Sequence, residues 1–192
     1  MRTEDTDAAL LARLNDLLQL EYDALPSYRL AIALLRTEEY RSALESYLAD
    51  HERHVEDLSR LIHERGSVAL RLPHVPTGFF KLAVQAAGAA GGERAVLLAF
   101  RANEQQSRDK YARAAEAEQP PEVAALLRRH AEDEARHFDW VCATLENLGV
   151  GSDTSIGAAV GAFAGFHGGV ADVVEGIGRT GMEAAYRILR AS

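Results

Sequence analysis

Hydrophobic residues recur along most of the chain at intervals of three and four, the spacing that places them on one face of an α-helix. This pattern predicts four long amphipathic helices, at about residues 6–36, 38–65 and 93–117, with a fourth introduced by Pro120 and Pro121. Gly66 and Gly149 stand where helix C-caps are expected. We therefore predict an all-α fold built on a four-helix bundle.

The connections between these helices differ in length. Only a few residues join the first helix to the second and the third to the fourth, which predicts two antiparallel hairpins. The stretch from Gly66 to Gly92 is rich in proline and glycine and contains the apolar sequence FFKLAVQAA. This middle connection is long enough to cross back along the bundle.

The two hairpins also resemble each other in sequence. When the chain is laid on itself with a shift of 83 residues, rare polar and aromatic residues coincide without a gap. The matched pairs include Glu21 with Glu104, Tyr28 with Tyr111, Asp50 with Asp133, Arg53 with Arg136, His54 with His137 and Gly66 with Gly149. Chance similarity between amphipathic helices would match leucine with leucine, so we interpret the hairpins as an internal duplication.

Six ionisable side chains fall on the inward-facing stripes of the helices. They are Glu21, His51, His54, Glu104, Glu134 and His137. Ionised carboxylates in an apolar core are costly unless a cation accompanies them, and the chain offers few inward-facing Lys or Arg residues. Bound metal ions would resolve this cost. All six residues are therefore candidate metal ligands, and the three glutamates are the candidate catalytic groups.

The spacing of Glu134 and His137 places two ligands on one helical turn. In this the chain resembles the ferritin-like di-iron carboxylate superfamily, in which two helices each give a Glu and two each give Glu-x-x-His. The sequence DEARH, at residues 133–137, is similar to the Asp-Glu-x-Arg-His signature of oxygen-activating members. Over about residues 8–149, the resemblance implies a ferritin-like antiparallel bundle with one long crossover between helices two and three.

The same resemblance implies a supporting layer around the ligands. Asp133 is expected to accept a hydrogen bond from the outer ring nitrogen of a ligating histidine, and Arg136 to steady that aspartate. Asp50 and Arg53 repeat the arrangement in the first hairpin.

The first hairpin departs from the family pattern, because His51, in the sequence DHERH, occupies the position of the expected glutamate. Three anionic ligands would then face two divalent ions, which predicts unequal half-sites. Two partly exposed surface histidines are the alternative interpretation of His51 and His54. Tyr28 and Tyr111 are expected to be core tyrosines with bonded hydroxyls.

Composition and charge narrow the class of protein. Hydrophobic residues at 47% and charged residues at 26% are typical of a globular protein, and a formal net charge of −8 argues against nonspecific nucleic-acid binding. The single cysteine, Cys142, excludes an intramolecular disulfide and a thiolate zinc cluster. The start, MRTEDTDAALLARL, lacks the features of a signal peptide, so we expect a cytoplasmic protein.

After Gly149 the composition changes, and nine of the fifteen glycines lie between Gly151 and Gly181. We therefore divide the chain into a bundle at residues 1–149 and a glycine-rich tail with short amphipathic helices at residues 150–192. A flexible tail, a self-association helix and a membrane-surface anchor are the alternatives for this segment.

By the resemblance we expect a non-haem protein with two iron ions, or manganese in their place, that oxidises Fe(II) or reduces O2 or peroxide. Such a protein is expected to form homo-oligomers. A non-enzymatic, ferritin-like stress or envelope-associated bundle that assembles or docks through its tail is one alternative. A membrane-associated di-iron hydroxylase is the other.

Overall fold

A computed structural model of the protein describes residues 2–74, 92–117, 119–150 and 173–188, with side chains from residue 7 onward. Within these ranges the chain forms five helices and no strand, so the all-α prediction is confirmed. The helices are α1 (Arg2–Leu34), α2 (Glu38–Glu64), α3 (Glu93–Glu116), α4 (Pro121–Asn147) and α5 (173–188). Most of the predicted crossover and the glycine stripe of the tail lie outside the described residues.

The first four helices pack as a bundle. α1 packs along α2, α3 packs along α4, and α1 also contacts α3. The short connections make each of the first two pairs an antiparallel hairpin, as predicted. Glu93, at the start of α3, accepts hydrogen bonds from the backbone N–H groups of Arg36 and Thr37 at 2.6 and 2.7 Å. This carboxylate therefore fixes the turn of the first hairpin against the second.

The ends of α2 and α4 repeat the same cap. Gly66 and Gly149 adopt positive φ values of 69° and 71°, a region that glycine enters at no steric cost. The N–H groups of Gly66 and Ser67 bond the carbonyls of His63 and Ile62, the pairing of a Schellman motif. Gly149 and the residue after it make the equivalent bonds 83 residues later. The predicted C-caps are confirmed.

Two apolar clusters fill the bundle, and each of the four helices passes from one to the other. The first cluster takes residues from the start of α1, the end of α2 and the facing parts of α3 and α4, including Leu14, Leu18, Ile62 and Leu127. The second includes Leu44, Phe100, Val141 and Leu145 at the opposite end. On every helix the predicted polar residues lie between the two clusters, which places them at mid-bundle.

Part of the predicted tail, α5, packs against this bundle. Asn15 of α1 donates a hydrogen bond to the Tyr186 hydroxyl at 2.7 Å, and the Tyr186 ring packs on the first apolar cluster. Lys110 of α3 pairs with Glu175, and both side chains are buried. None of the helices in the described part of the chain is long and apolar enough to cross a membrane.

Candidate metal centre

The structure brings all six sequence-predicted site residues together at the centre of the bundle. Their exposed fraction is no more than 1% of the residue surface. The alternative of surface histidines at positions 51 and 54 is therefore wrong. Ligand atoms of Glu21, His51, His54 and Glu134 lie within 4.8 Å of one another, as do those of His51, Glu104, Glu134 and His137. Each group offers enough donors to hold a metal ion.

These two groups are related by the internal repeat. A shift of 83 residues exchanges Glu21 with Glu104, His54 with His137 and His51 with Glu134, so it converts one group into the other. His51 and Glu134 belong to both groups. The centre thus has two half-sites that share a histidine from α2 and a glutamate from α4.

The half-site around Glu21 is closely connected by its own charges. His51 Nδ1 lies 2.6 Å from Glu21 Oε2, and His54 Nδ1 lies 3.4 Å from Glu21 Oε1. The same two ring nitrogens lie 3.6 and 3.5 Å from Glu134 Oε1. In the other half-site the corresponding contact is longer, with His137 Nδ1 at 3.7 Å from Glu104 Oε2.

The outer nitrogens of the paired histidines bond aspartates of the opposite repeat. His54 Nε2 donates to Asp133 at 3.2 Å, and His137 Nε2 donates to Asp50 at 3.1 Å. Because Nε2 carries the donated proton, Nδ1 of each ring faces the other site residues as an acceptor. The supporting aspartates lie where the resemblance implied.

Two arginines link these aspartates to each other. Arg53 bonds Asp50 at 2.8 Å and also reaches Asp133, while Arg136 bonds Asp133 at 2.7 Å and Asp50 at 2.6 Å. Each arginine therefore contacts the aspartate of both repeats. The four residues form one closed network over the two histidines.

Aromatic rings enclose the centre on both sides. The Tyr111 hydroxyl donates to Glu21, and the Tyr28 hydroxyl lies 3.4 Å from His137 Nδ1, so both predicted core tyrosines have a bonded hydroxyl. The His130 ring stacks on His54 at a centroid distance of 3.9 Å. The equivalent neighbour of His137 is Tyr47, at 4.2 Å. The two half-sites therefore differ in their ring neighbours as well as in their ligands.

Several donor atoms at the centre have no hydrogen-bond partner among the described residues. Both carboxylate oxygens of Glu134 are buried and unbonded, and so are Glu104 Oε2, His51 Nε2 and His54 Nδ1. Buried polar atoms are rarely left in this state, since each costs desolvation free energy. Three carboxylates and three imidazoles with unused lone pairs fit a pair of transition-metal ions. The donor set therefore passes the test that a metal centre requires.

Around Glu21 the site favours charged groups. Although burial favours its neutral form, the charges of His51 and His54 hold the pKa of Glu21 well below its ordinary value. Burial opposes a charge on His51, but Glu134 and Glu21 outweigh it and raise the pKa of His51 to about 9. Despite its burial, the pKa of His54 rises to about 11, because Glu21 lies beside it.

Around Glu104 the site favours neutral groups. Burial and the charge of Glu134 raise the pKa of Glu104 to about 8, and burial lowers the pKa of His137 to about 4. The difference follows from His51, whose ring lies against Glu21 rather than Glu104. The unequal half-sites expected from the sequence therefore have an electrostatic counterpart.

Sequence reasoning missed a second buried polar cluster between α1, α3 and α5. His74 Nε2 lies 3.1 Å from Asp16, its Nδ1 lies 2.9 Å from Asp23, and Lys110 Nζ lies 3.2 Å from Asp16 and also pairs with Glu175. The Lys110 ammonium group already supplies positive charge to both α3-facing carboxylates. A signal existed on α1, where Asp16 and Asp23 stand seven residues apart on one inward face.

Comparisons with models of protein families, with curated proteins and with solved structures find no match. Any assignment of the bundle to a superfamily therefore rests on the residues described above.

Proposed function

We propose that the protein is a two-metal protein of the ferritin-like type, with iron ions, or manganese in their place, at mid-bundle. The duplicated hairpins, the two overlapping ligand groups and the Glu-x-x-His spacing on α4 support this proposal. Its ligands are the six buried residues of the centre.

One observation carries the proposal above the others. Glu134 is fully buried, and neither of its oxygens has a hydrogen-bond partner in the described chain, although three histidines lie around it. A carboxylate that belongs to both ligand groups, with its lone pairs unused, is the expected position of a bridging ligand. A purely structural glutamate would be expected to donate these lone pairs to nearby N–H groups.

The chain's own residues prepare this site for ions. Asp133 and Asp50 hold His54 and His137 in the tautomer that presents Nδ1 inward, and Tyr111 orients the Glu21 carboxylate. The two apolar clusters exclude bulk water on both sides. Bound iron would supply one-electron redox chemistry, so the activity we propose is Fe(II) oxidation coupled to reduction of O2 or peroxide.

Metal analysis of protein purified without chelators, followed by anaerobic Fe(II) titration and O2 consumption, tests this function. The native chain is expected to bind two ions per subunit and to consume O2 or peroxide with Fe(II). Glu134→Gln removes the shared carboxylate at nearly constant volume and is expected to lose at least one ion. Glu132→Gln, an exposed position two residues away on α4, is the matched control and should behave as the native chain.

A native chain that binds neither iron nor manganese would contradict the proposal. It would leave the non-enzymatic bundle as the remaining interpretation, with the buried charges of Glu21, His51 and His54 balanced by each other.

A further inference from the structure

A cavity of about 490 Å³ lies between α1, α3 and α5. None of the six metal-centre residues lines it. Its volume falls within the range of protein pockets that bind small molecules. It therefore offers a binding site separate from the metal centre.

Positive charge concentrates at this cavity. Four cationic side chains line it, against three acidic ones, although the whole chain carries a formal net charge of −8. The cationic residues are Arg13, Lys110, Arg113 and Arg179, and the acidic residues are Asp16, Glu175 and Glu183. A cavity with this balance suits an anion better than a cation.

The acidic side chains at the cavity are already engaged with other groups. Asp16 contacts Lys110 at 3.2 Å and Arg179 at 3.3 Å, Glu175 pairs with Lys110, and Glu183 pairs with Arg187. These pairs leave the carboxylates little capacity to neutralise a further guanidinium group.

Arg13 is the guanidinium that these pairs do not reach. Its Nε is buried and has no hydrogen-bond partner among the described residues. Burial, and then the charge of Arg179, lower the pKa of Arg13, which shows that the two guanidinium groups lie close enough to repel each other. An oxyanion between them would accept hydrogen bonds from both and remove the repulsion.

We propose that the cavity binds a small organic anion that carries a carboxylate or phosphate group. The anionic group pairs with Arg13 and Arg179, whose planar forks match either oxyanion. The remainder of the ligand packs against the apolar part of the wall, formed by Ala9, Leu17, Ala114 and Ala117.

Calorimetric titration of the full chain at constant ionic strength, with hexanoate, hexyl phosphate and inorganic phosphate as probes, tests the proposal. One of the two hexyl probes is expected to bind saturably at one site per chain, more tightly than inorganic phosphate does. The preferred probe identifies the anionic group. Inorganic phosphate binding as tightly as both hexyl probes, or no saturable binding of either hexyl probe, would overturn the proposal.

Arg13→Gln is expected to weaken binding of the preferred probe about tenfold or more, since it removes a charge-assisted hydrogen bond. Arg129→Gln, an exposed position on α4, is the matched control and should leave affinity unchanged. Arg179→Gln, whose native side chain is about half exposed, provides a second test if the first variant misfolds. Unchanged affinity in whichever of these two variants retains native circular dichroism would show that the guanidinium pair is not the site.

Discussion

His51 decides the character of the metal centre, because it stands where the repeat has Glu134 in its other copy. Its Nδ1 lies 2.6 Å from Glu21, so it supplies positive charge to one half-site and none to the other. An imidazole offers one lone pair when neutral, whereas a carboxylate offers several and can bridge two ions. The histidine therefore makes the two halves different ligands for the same metal.

His51→Glu is expected to make the two half-sites alike. The native chain should bind one Fe(II) tightly and a second more weakly, and the variant should bind two with similar affinity, because an added carboxylate neutralises the second ion. Anaerobic Fe(II) titration measures both affinities. Equal affinities in the native chain, or fewer ions in the variant, would mean that His51 does not occupy a ligand position.

The crossed aspartates allow a test of each half-site from the opposite repeat. Asp50→Asn should weaken the ion held by His137, and Asp133→Asn the ion held by His54, by about 10–100-fold each. The reason is that an amide does not favour the Nε2–H tautomer as a carboxylate does. Fe(II) titration of both variants, with Glu52→Gln as an exposed control on α2, measures the effect. Loss confined to the half-site of the substituted repeat would contradict the crossed arrangement.

Helix α1 carries two inward-facing sets of polar residues rather than one. Glu21 faces the metal centre, while Asp16 and Asp23 face His74, in the chain that follows α2. Burial opposes a charge on His74, but its hydrogen bonds to Asp16 and Asp23 outweigh burial and Lys110, and the pKa of His74 is raised. His74 therefore binds that segment to α1 by an ion pair.

His74→Gln is expected to lower the melting temperature more at pH 5.5 than at pH 9. A histidine whose pKa is raised by folding stabilises the protein fully below its unfolded pKa of about 6.5, and this stabilisation is lost as pH rises through the raised folded value. The pKa of Asp16 is lowered in the fold, so its contribution is lost only in acid. Thermal unfolding of both chains at the two pH values measures the difference.

His63→Gln, which alters an exposed histidine on α2, is the control for this comparison. A His74→Gln deficit that is the same at both pH values would show that the hydrogen-bond geometry of His74, and not its charge, stabilises the fold.

Sequence periodicity predicted the bundle helices and the six polar positions for one physical reason. Residues such as Glu21 and Glu104 interrupt an otherwise apolar stripe, and a side chain on that stripe has to point inward. The distance between repeats then fixed which residues would meet. Local spacing carries this information without knowledge of the tertiary structure.

The second polar cluster lies beyond that reasoning. His74, Lys110 and Glu175 come from three distant parts of the chain, and no spacing rule relates them. The crossed hydrogen bonds of Asp50 and Asp133 were also hidden, because a pattern identifies an aspartate beside a histidine but not the histidine across the bundle. Contacts of this kind depend on how the helices rotate against one another.

The contacts of α5 bear on the division of the chain at residue 149. The first four helices complete their hairpins without α5, but Lys110 and Asp16 are buried and take partners from it. We expect truncation after Val150 to retain helical circular dichroism and to lower the melting temperature. An unfolded truncated chain would mean that the bundle is not an independent unit.

Glu175→Gln isolates this effect in the full chain. It should cost about 1–3 kcal/mol of unfolding free energy, because the buried Lys110 ammonium loses its shortest ion pair but keeps Asp16. Denaturant unfolding of this variant beside Thr180→Ala, an exposed position on α5, measures the cost. A cost no larger than that of the control would show that the pair contributes nothing to stability.

The closed network of Asp50, Arg53, Asp133 and Arg136 constrains how the two copies of the hairpin can diverge. A substitution of Asp50 acts on His137 in the other copy, so neither copy can accumulate changes at these positions independently of its twin. Positions 51 and 134, and positions 47 and 130, are outside the network, and there the copies have become different residues. Reciprocal bonding thus preserved a common ancestral sequence where it existed and left the remaining positions open to specialisation.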